Sequence, residues 1–332
     1  MAAQGVELLA GLDELAVMGF AEVVPRLEQF RDLLRRVDEA LLAIDLVILI
    51  DFPGFNMRVA RAASGRGRPV LYYVAPKIWA SRPGRAATLA RDTDHIATIF
   101  PFETEALRAA GAEVTFVGNP LLDRADDVPE DRAFRRTFAL DPTRPILALL
   151  PGSRPQEIDQ HLALFLDAAA LVTDSRPDIL PVVSRADALP PSLFEGFDVA
   201  VVDDTRALLR HARVALVKAG TSTLEAALER TPTVVAYRTS ASSWAVIKRV
   251  LRVNHVSLPN LLADRAIVPE LIQSEAKASE IASSLLPLFE ESGTERKQQL
   301  HDLADIEALL GATGVADRVV DIGVELMDRA SA

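Results

Sequence analysis

Two short turns combine small residues with a cation or with hydroxyl groups directly after an apolar run. One is Pro151-Gly152-Ser153-Arg154, after the run 146–150, and the other is Gly220-Thr221-Ser222, after the run 214–218. Such a turn before a helix leaves backbone N–H groups free to bind phosphate, and Arg154 adds a forked cation. Two of them predict a site for a nucleotide diphosphate. The alternatives are an ordinary turn with a surface arginine and a helix cap formed by Thr221 or Ser222.

Two carboxylates are placed where they could act on a sugar. Glu225 lies three residues after Ser222, where it either completes a capping box or accepts hydrogen bonds from both hydroxyls of a ribose. Asp51 ends the run 46–51 and would face a cleft between domains at the carboxyl edge of a parallel sheet. There it could deprotonate an acceptor hydroxyl that attacks a sugar C1. The alternative is a turn aspartate before a helix that begins near Asn56.

A third feature is a basic segment, residues 57–91, with eight Arg or Lys and no Asp or Glu. Tyr72, Tyr73, Ile78 and Trp79 lie among the cations. Cations beside aromatic rings suit anionic lipid or a lipid phosphate. A solvated face is the alternative.

Parallel strands must position these groups. Nine apolar runs, each followed by a helical pattern, predict strands buried on both faces and therefore an α/β fold with two Rossmann-like, doubly wound parallel sheets. The polar stretch 123–145 predicts a boundary near residue 143. We expect an N-terminal domain over 1–143 and a C-terminal domain over 144–332, with two or three terminal helices in 276–330.

The composition restricts the function. A net charge of −11 argues against binding nucleic acid, and the absence of cysteine excludes disulfides and thiolate zinc sites. His95, His161, His211 and His255 lack the spacing of metal ligands and are interpreted as structural, so no metal is expected. The longest apolar run, 41–50, is too short to span a bilayer. The sequence predicts a soluble or peripheral protein without a signal peptide.

Several segments together resemble the lipid-A-disaccharide synthase family of inverting GT-B glycosyltransferases, in family order over nearly the whole chain. They are LDELAVMGFAEVVPRL (12–27), IDFPGFN (50–56), YYVAPKIWASRPGR (72–85), FPFE (100–103), FVGNPLLD (116–123), LALLPGSRPQEI (147–158), KAGTSTLEAAL (218–228), VVAYR (234–238) and VSLPNLLADRAIVPEL (256–271). The resemblance implies transfer of 2,3-diacylglucosamine from its UDP conjugate to 2,3-diacylglucosamine 1-phosphate, without a cofactor. It also implies a peripheral protein on the cytoplasmic face of the inner membrane, with homo-oligomers possible.

The resemblance also assigns roles by position. Asp51 and Arg154 become the catalytic candidates, as base and as neutraliser of the leaving diphosphate. Glu225 would bind the UDP ribose, and uracil would lie near Tyr237 and Arg238. The full set of substrate-binding candidates is Asn56, Gly152, Ser153, Glu157, Lys218, Gly220, Thr221, Ser222, Glu225, Tyr237, Arg238 and Asn260.

The chain departs from the family pattern at two places. Gly54 stands where the family commonly has a second aspartate. Met1 falls where the family has already passed its first strand, turn and helix, so an incomplete N-terminal domain is expected, through a start placed too far downstream or a true short form. The competing functions are another UDP-N-acetylglucosamine enzyme of this fold, such as an epimerase, and a non-catalytic nucleotide-binding form.

Overall fold

The computed structural model describes residues 5–11, 27–76, 84–125, 127–240, 244 and 254–331. Two compact units make up the chain. Unit 1 comprises Met1–Pro120 together with Thr313–Ala332, and unit 2 comprises Leu121–Ala312.

Unit 1 is built on a parallel sheet with the strand order β1-β2-β3-β4. The strands described there are β1 (Val47–Ile50), β2 (Val70–Tyr73), β3 (His95–Thr98) and β4 (Val114–Phe116). The helices described before residue 120 are α1 (Leu27–Ala40), α2 (Pro53–Ser64), α3 (Gly84–Asp92) and α4 (Pro101–Ala109). Strands β2 and β3 are buried at nearly every position because helices cover both faces of the sheet.

The second face of this sheet is covered by a helix from the other end of the chain, α12 (Val315–Ser331). Val315, Val319 and Leu326 of α12 pack in one cluster with Leu71 and Ala97 of the sheet. Gly323 permits the close approach, because a Cβ there would lie 3.1 Å from a methyl carbon of Leu46.

Unit 2 contains a six-stranded parallel sheet in the order β10-β9-β8-β5-β6-β7. The strands are β5 (Ile146–Leu150), β6 (Leu180–Ser184), β7 (Ala200–Val202), β8 (Ala212–Lys218), β9 (Thr233–Tyr237) and β10 (Glu270–Ile272). Among the described residues, its helices are α5 (Asp131–Thr137), α6 (Pro155–Ser175), α7 (Thr205–His211), α8 (Thr221–Leu228), α9 (Leu258–Ala263), α10 (Ala278–Phe289) and α11 (Thr294–Leu309). The described part of the chain also has 3₁₀ turns at Pro120–Asp123 and Pro191–Phe194. Read from β7, this is the doubly wound order 3-2-1-4-5-6.

The predicted fold class is confirmed, but the unit limits differ from the expected domains. The first unit ends at Pro120 and not near residue 143, because the polar stretch 123–145 contains α5, whose Phe134 is buried in a core of unit 2. Of the predicted terminal helices, α10 and α11 belong to unit 2, whereas α12 packs on unit 1. Within the described residues, no helix combines the length and the apolar character needed to cross a bilayer.

Candidate nucleotide site

Both predicted phosphate turns lie at the point where the sheet of unit 2 reverses its order. Strands β5 and β8 are neighbours in register from Leu147↔Val214 to Leu150↔Val217. One turn follows β5 and the other follows β8, so both open at the same carboxyl edge. This is the switch point at which doubly wound sheets bind their ligands.

Glu157, in the first turn of α6, organises the turn after β5. Its carboxylate accepts hydrogen bonds from Ser153 N at 2.9 Å, from Arg154 Nη1 at 2.9 Å and from Lys218 Nζ at 2.8 Å. Burial opposes ionisation, but the bonds from Lys218, Ser153 and Arg154 outweigh it and hold the pKa of Glu157 below its ordinary value. A carboxylate only accepts hydrogen bonds, so Glu157 arranges these donors and is no phosphate ligand itself.

Gly152 is required by the same arrangement. Its φ is +143°, and a Cβ at this position would lie 2.5 Å from Cβ of Glu157 and 2.7 Å from its Oε2. A side chain therefore cannot be added without moving the helix that carries Glu157. Arg154 precedes α6, and Pro155 occupies its first turn.

The second turn does not form the helix cap that was the alternative to phosphate binding. Helix α8 begins at Thr221 after Gly220, whose φ is +156°, and no side chain caps it. Thr221 and Ser222 lie within its first turn, and Thr223 donates through Oγ1 to Gly220 O at 2.7 Å. Glu225 does not complete a capping box. Its Oε1 accepts a hydrogen bond from Arg124 Nη1 at 2.8 Å instead.

A cavity of about 520 Å³ lies beside both turns. Its lining from the two turns comprises Gly152, Ser153, Ser222 and Glu225. The remaining lining lies at or just after the carboxyl ends of β5, β6 and β7 and was not predicted: Leu150, Ser184, Ala186, Asp187, Asp203, Asp204 and Thr205. The pair Asp203-Asp204, at the end of an apolar run, is the sequence feature that could have predicted this part of the lining. Asp204 caps α7 by accepting from Ala207 N at 2.9 Å.

Tyr237 and Arg238 are joined to the first turn through His161, which is fully buried. His161 Nδ1 bonds to Glu157 O at 2.8 Å, and its Nε2 accepts from Arg238 N at 3.0 Å. A carbonyl only accepts, so the proton is on Nδ1 and the ring is neutral. Burial lowers the pKa of His161. The Tyr237 ring packs on His161 with centroids 5.4 Å apart and lies 5.8 Å from Lys218 Nζ.

Asn260 does not line the cavity, in contrast to the prediction. It is fully buried, and its amide bonds to four atoms of its own neighbourhood. Oδ1 accepts from Ile267 N and Val268 N, and Nδ2 donates to Val268 O and to Glu270 Oε1. With every strong donor and acceptor used, Asn260 stabilises the segment before β10 and has none left for a substrate.

In unit 1, Asp51 follows β1 in a left-handed conformation with φ +47°, and its side chain is exposed. Asn56 does not extend toward a ligand through its amide nitrogen. Nδ2 donates to Ile50 O at 3.0 Å and to Asp51 O at 2.8 Å, and Tyr72 donates to the same Asp51 O at 2.8 Å. Burial and the charge of Asp51 raise the pKa of Tyr72. These bonds fix the turn that presents the Asp51 carboxylate.

Several residues of the predicted aromatic and basic segment 57–91 are buried or already have partners in the chain. Tyr72 is fully buried, so it cannot contact lipid, and Ile78 and Trp79 lie outside the described residues. At least four arginines of this segment have partners within unit 1. Arg58 donates to Gly54 O, and Arg91 pairs with Asp92. Arg66 pairs with Asp38, and Arg68 donates to Leu41 O and Leu42 O. Among the described residues, no group of His, Cys, Asp or Glu is arranged to hold a metal ion.

Comparison with solved structures identifies the fold. The UDP-GlcNAc 2-epimerase from Neisseria meningitidis bound to UDP-GlcNAc has a TM-score of 0.60 at 12% identity, over 89% of this chain and 82% of the other. The glycotransferase of kitacinnamycin has a TM-score of 0.60 at 15% identity, over 98% and 88%. At these identities the likeness shows the fold alone, the two-domain architecture of GT-B enzymes.

Sequence relationships identify the family. Residues 1–314 match the family model described as lipid-A-disaccharide synthetase. The lipid-A-disaccharide synthase of Myxococcus xanthus (strain DK1622) is 39% identical over 336 residues, covering 98% of this chain and 88% of that protein. That of Geobacter sulfurreducens is 35% identical over 334 residues, covering 98% and 87%. The resemblance seen in the motifs is thus confirmed, and the chain belongs to the lipid-A-disaccharide synthase family of glycosyltransferases.

Proposed function

We propose that this chain, a glycosyltransferase that forms the lipid A disaccharide, transfers 2,3-diacylglucosamine from its UDP conjugate to the 6-hydroxyl of 2,3-diacylglucosamine 1-phosphate and releases UDP. The observation that carries the donor half is the position of the two turns. They flank the strand reversal of unit 2 and border one cavity of about 520 Å³. A cavity of this size accommodates a nucleoside.

Within that cavity we assign the ends of UDP from the chemistry of the lining. The side beyond Ser184 is acidic, with Asp187, Asp203 and Asp204, and repels phosphate. The diphosphate therefore lies toward the N–H groups of Gly152 and Ser153 and toward Arg154 and Ser222. The ribose hydroxyls then donate to Glu225, and the base occupies the side near Ser184. Tyr237 and Arg238 support the phosphate turn through His161 and do not contact uracil.

For the acceptor half, Asp51 is the proposed general base. An exposed carboxylate is held on a fixed turn, because Asn56 and Tyr72 both bond to its backbone oxygen. It would accept the proton of the attacking hydroxyl while the bond from C1 to the UDP oxygen breaks. Charge that develops on the diphosphate would be stabilised by Arg154 and by the backbone N–H groups.

Both proposed substrates carry acyl chains and are held in a bilayer, so we place the reaction at a membrane surface, on the inner face where UDP-sugars are made. The exposed arginines among residues 57–91 would favour anionic lipid over water. Homo-oligomers are compatible with this arrangement but are not needed for it.

The test is acceptor-dependent release of UDP from UDP-2,3-diacylglucosamine, with UDP-N-acetylglucosamine as the matched donor without these chains. We expect release only with the acylated donor and only when acceptor is present. Epimerisation of UDP-N-acetylglucosamine without an acceptor would contradict the proposal in favour of an epimerase. UDP binding without release from either donor would indicate a non-catalytic nucleotide-binding protein.

A further inference from the structure

Glu157 occupies the groups that the proposed diphosphate site would use. Its two oxygens accept from one backbone N–H, one guanidinium and one ammonium, on Ser153, Arg154 and Lys218. This is the donor set expected around a bound phosphate. It is gathered here around a carboxylate of the chain itself, only 16% exposed.

The three donors do not depend equally on Glu157. Lys218 also lies against the Tyr237 ring, and its side chain is 16% exposed. Arg154 is 48% exposed, and Ser153 N belongs to the turn that borders the cavity. The groups that can most readily change partner are therefore those of Ser153 and Arg154.

We propose that Glu157 acts as a built-in competitor of the donor diphosphate, releasing Ser153 N–H and Arg154 when UDP binds and taking them back when UDP leaves. This inference rests on the proposed UDP site. Two anions cannot share the same N–H groups, and like charges at close range repel in a half-buried site. Glu157 thus weakens UDP binding and favours release of the product. His161, bonded to the Glu157 carbonyl, keeps the backbone of this residue fixed while its side chain changes partners.

The experiment compares Glu157→Gln with the wild type in binding of UDP and of uridine, measured by calorimetry. Glutamine keeps the shape and can still accept from Ser153 N, but it carries no charge. We expect UDP to bind at least about five-fold more tightly, since hydrogen bonds to charged groups are worth more than neutral ones. Uridine has no phosphate, so its affinity should not change.

Asp159→Asn is the matched control, because it removes one negative charge from an exposed position two residues away on α6. Its UDP affinity should equal that of the wild type. An equal gain in this variant would show a general charge effect and overturn the inference. Thermal unfolding verifies that Glu157→Gln is folded, and Glu157→Ala is the second variant, with the same expected gain for UDP alone.

The two proposals fail in different ways. Unchanged or weaker UDP binding by folded Glu157 variants, beside a wild type that binds UDP, would overturn the competition and leave the donor site standing. It would show that Glu157 only shapes the turn. A wild type and variants that all fail to bind UDP would overturn the donor site and the competition with it.

Discussion

Arg124 Nη1 donates to Glu225 Oε1 at 2.8 Å, although 101 residues separate the two in sequence. The bond uses one oxygen of the carboxylate, and Glu225 also lines the cavity beside the two turns. Arg124 therefore holds in place the group that we assign to the ribose.

Arg124→Gln should weaken UDP binding by up to about five-fold, the effect of a partly exposed ion pair worth ~1 kcal/mol. The loss of affinity should be smaller for 2′-deoxy-UDP. This nucleotide lacks one of the two ribose hydroxyls that we propose donate to Glu225, so it depends less on the position of that carboxylate. Titration of both nucleotides measures this, with Arg132→Gln of α5 as an exposed control. Equal losses for both nucleotides would show that Arg124 does not act through the ribose.

Asp51→Asn should lower kcat by about 10²–10⁴-fold, the usual contribution of a general base, and leave the Kd for UDP unchanged. Asparagine tolerates the left-handed backbone at this position, so the turn should persist. The assay is UDP release, with Asp45→Asn, an exposed aspartate just before β1, as the control. Near-full activity of Asp51→Asn would show that Asp51 is not the general base.

Gly152→Ala should lower the free energy of unfolding by roughly 1–3 kcal/mol and reduce UDP binding, because alanine is strained at positive φ and its Cβ meets Glu157. Gly54→Ala is the matched control. Gly54 lies in α2 with no atom within 4 Å of an added Cβ. Denaturant unfolding compares the two, and a Gly152→Ala protein as stable as the wild type would contradict the close contact with Glu157.

The stability of the protein should fall as the pH is lowered below about 6.5, the ordinary pKa of histidine. Burial lowers the pKa of His161, and also that of His95. The unfolded chain therefore takes up protons at a higher pH than the folded protein does, and protons favour unfolding. Stability is complete above this range and is lost as the pH falls toward the folded pKa values. Denaturant unfolding at pH 8, 7 and 6 should show a smaller decrease for His161→Asn, and an equal decrease would contradict the role of His161.

Asn260→Ala should lower the free energy of unfolding by at least about 2 kcal/mol, because the N–H groups of Ile267 and Val268 lose their acceptor in a buried place. The UDP affinity of the folded variant should stay near that of the wild type. A stable variant with weak UDP binding would restore Asn260 as a substrate contact.

The strands were predictable because a parallel sheet buried on both faces has a distinctive sequence pattern of short apolar runs. All nine predicted apolar runs form strands, β1 to β9, since burial on both faces demands an apolar residue at almost every position. Strand β10 was missed because it has three residues and includes Glu270. The amphipathic pattern of α12 showed that it has a buried face, but a pattern cannot tell which sheet that face will cover.

The parts of the candidate site that depend on backbone conformation were predictable. The turns at Gly152 and Gly220 are examples, because a turn after a strand is fixed by local sequence. The hydrogen-bond partners of side chains could not be predicted from the sequence. Asn260 and Asn56 were predicted to bind substrate. The sequence alone does not distinguish an asparagine whose amide bonds within the chain from one whose amide faces a ligand. Arg124 was missed because its partner is distant in sequence.

The return of α12 to unit 1 has a consequence for how the protein is made. Leu71, Ala97 and Val117 leave the ribosome before unit 2 is made, but Val315, Val319 and Leu326, which pack on them, leave only after it. At ~5–20 residues per second the wait is on the order of ten to forty seconds. Unit 2 can complete its fold in that interval, while one face of the first sheet stays without its helix and open to chaperones.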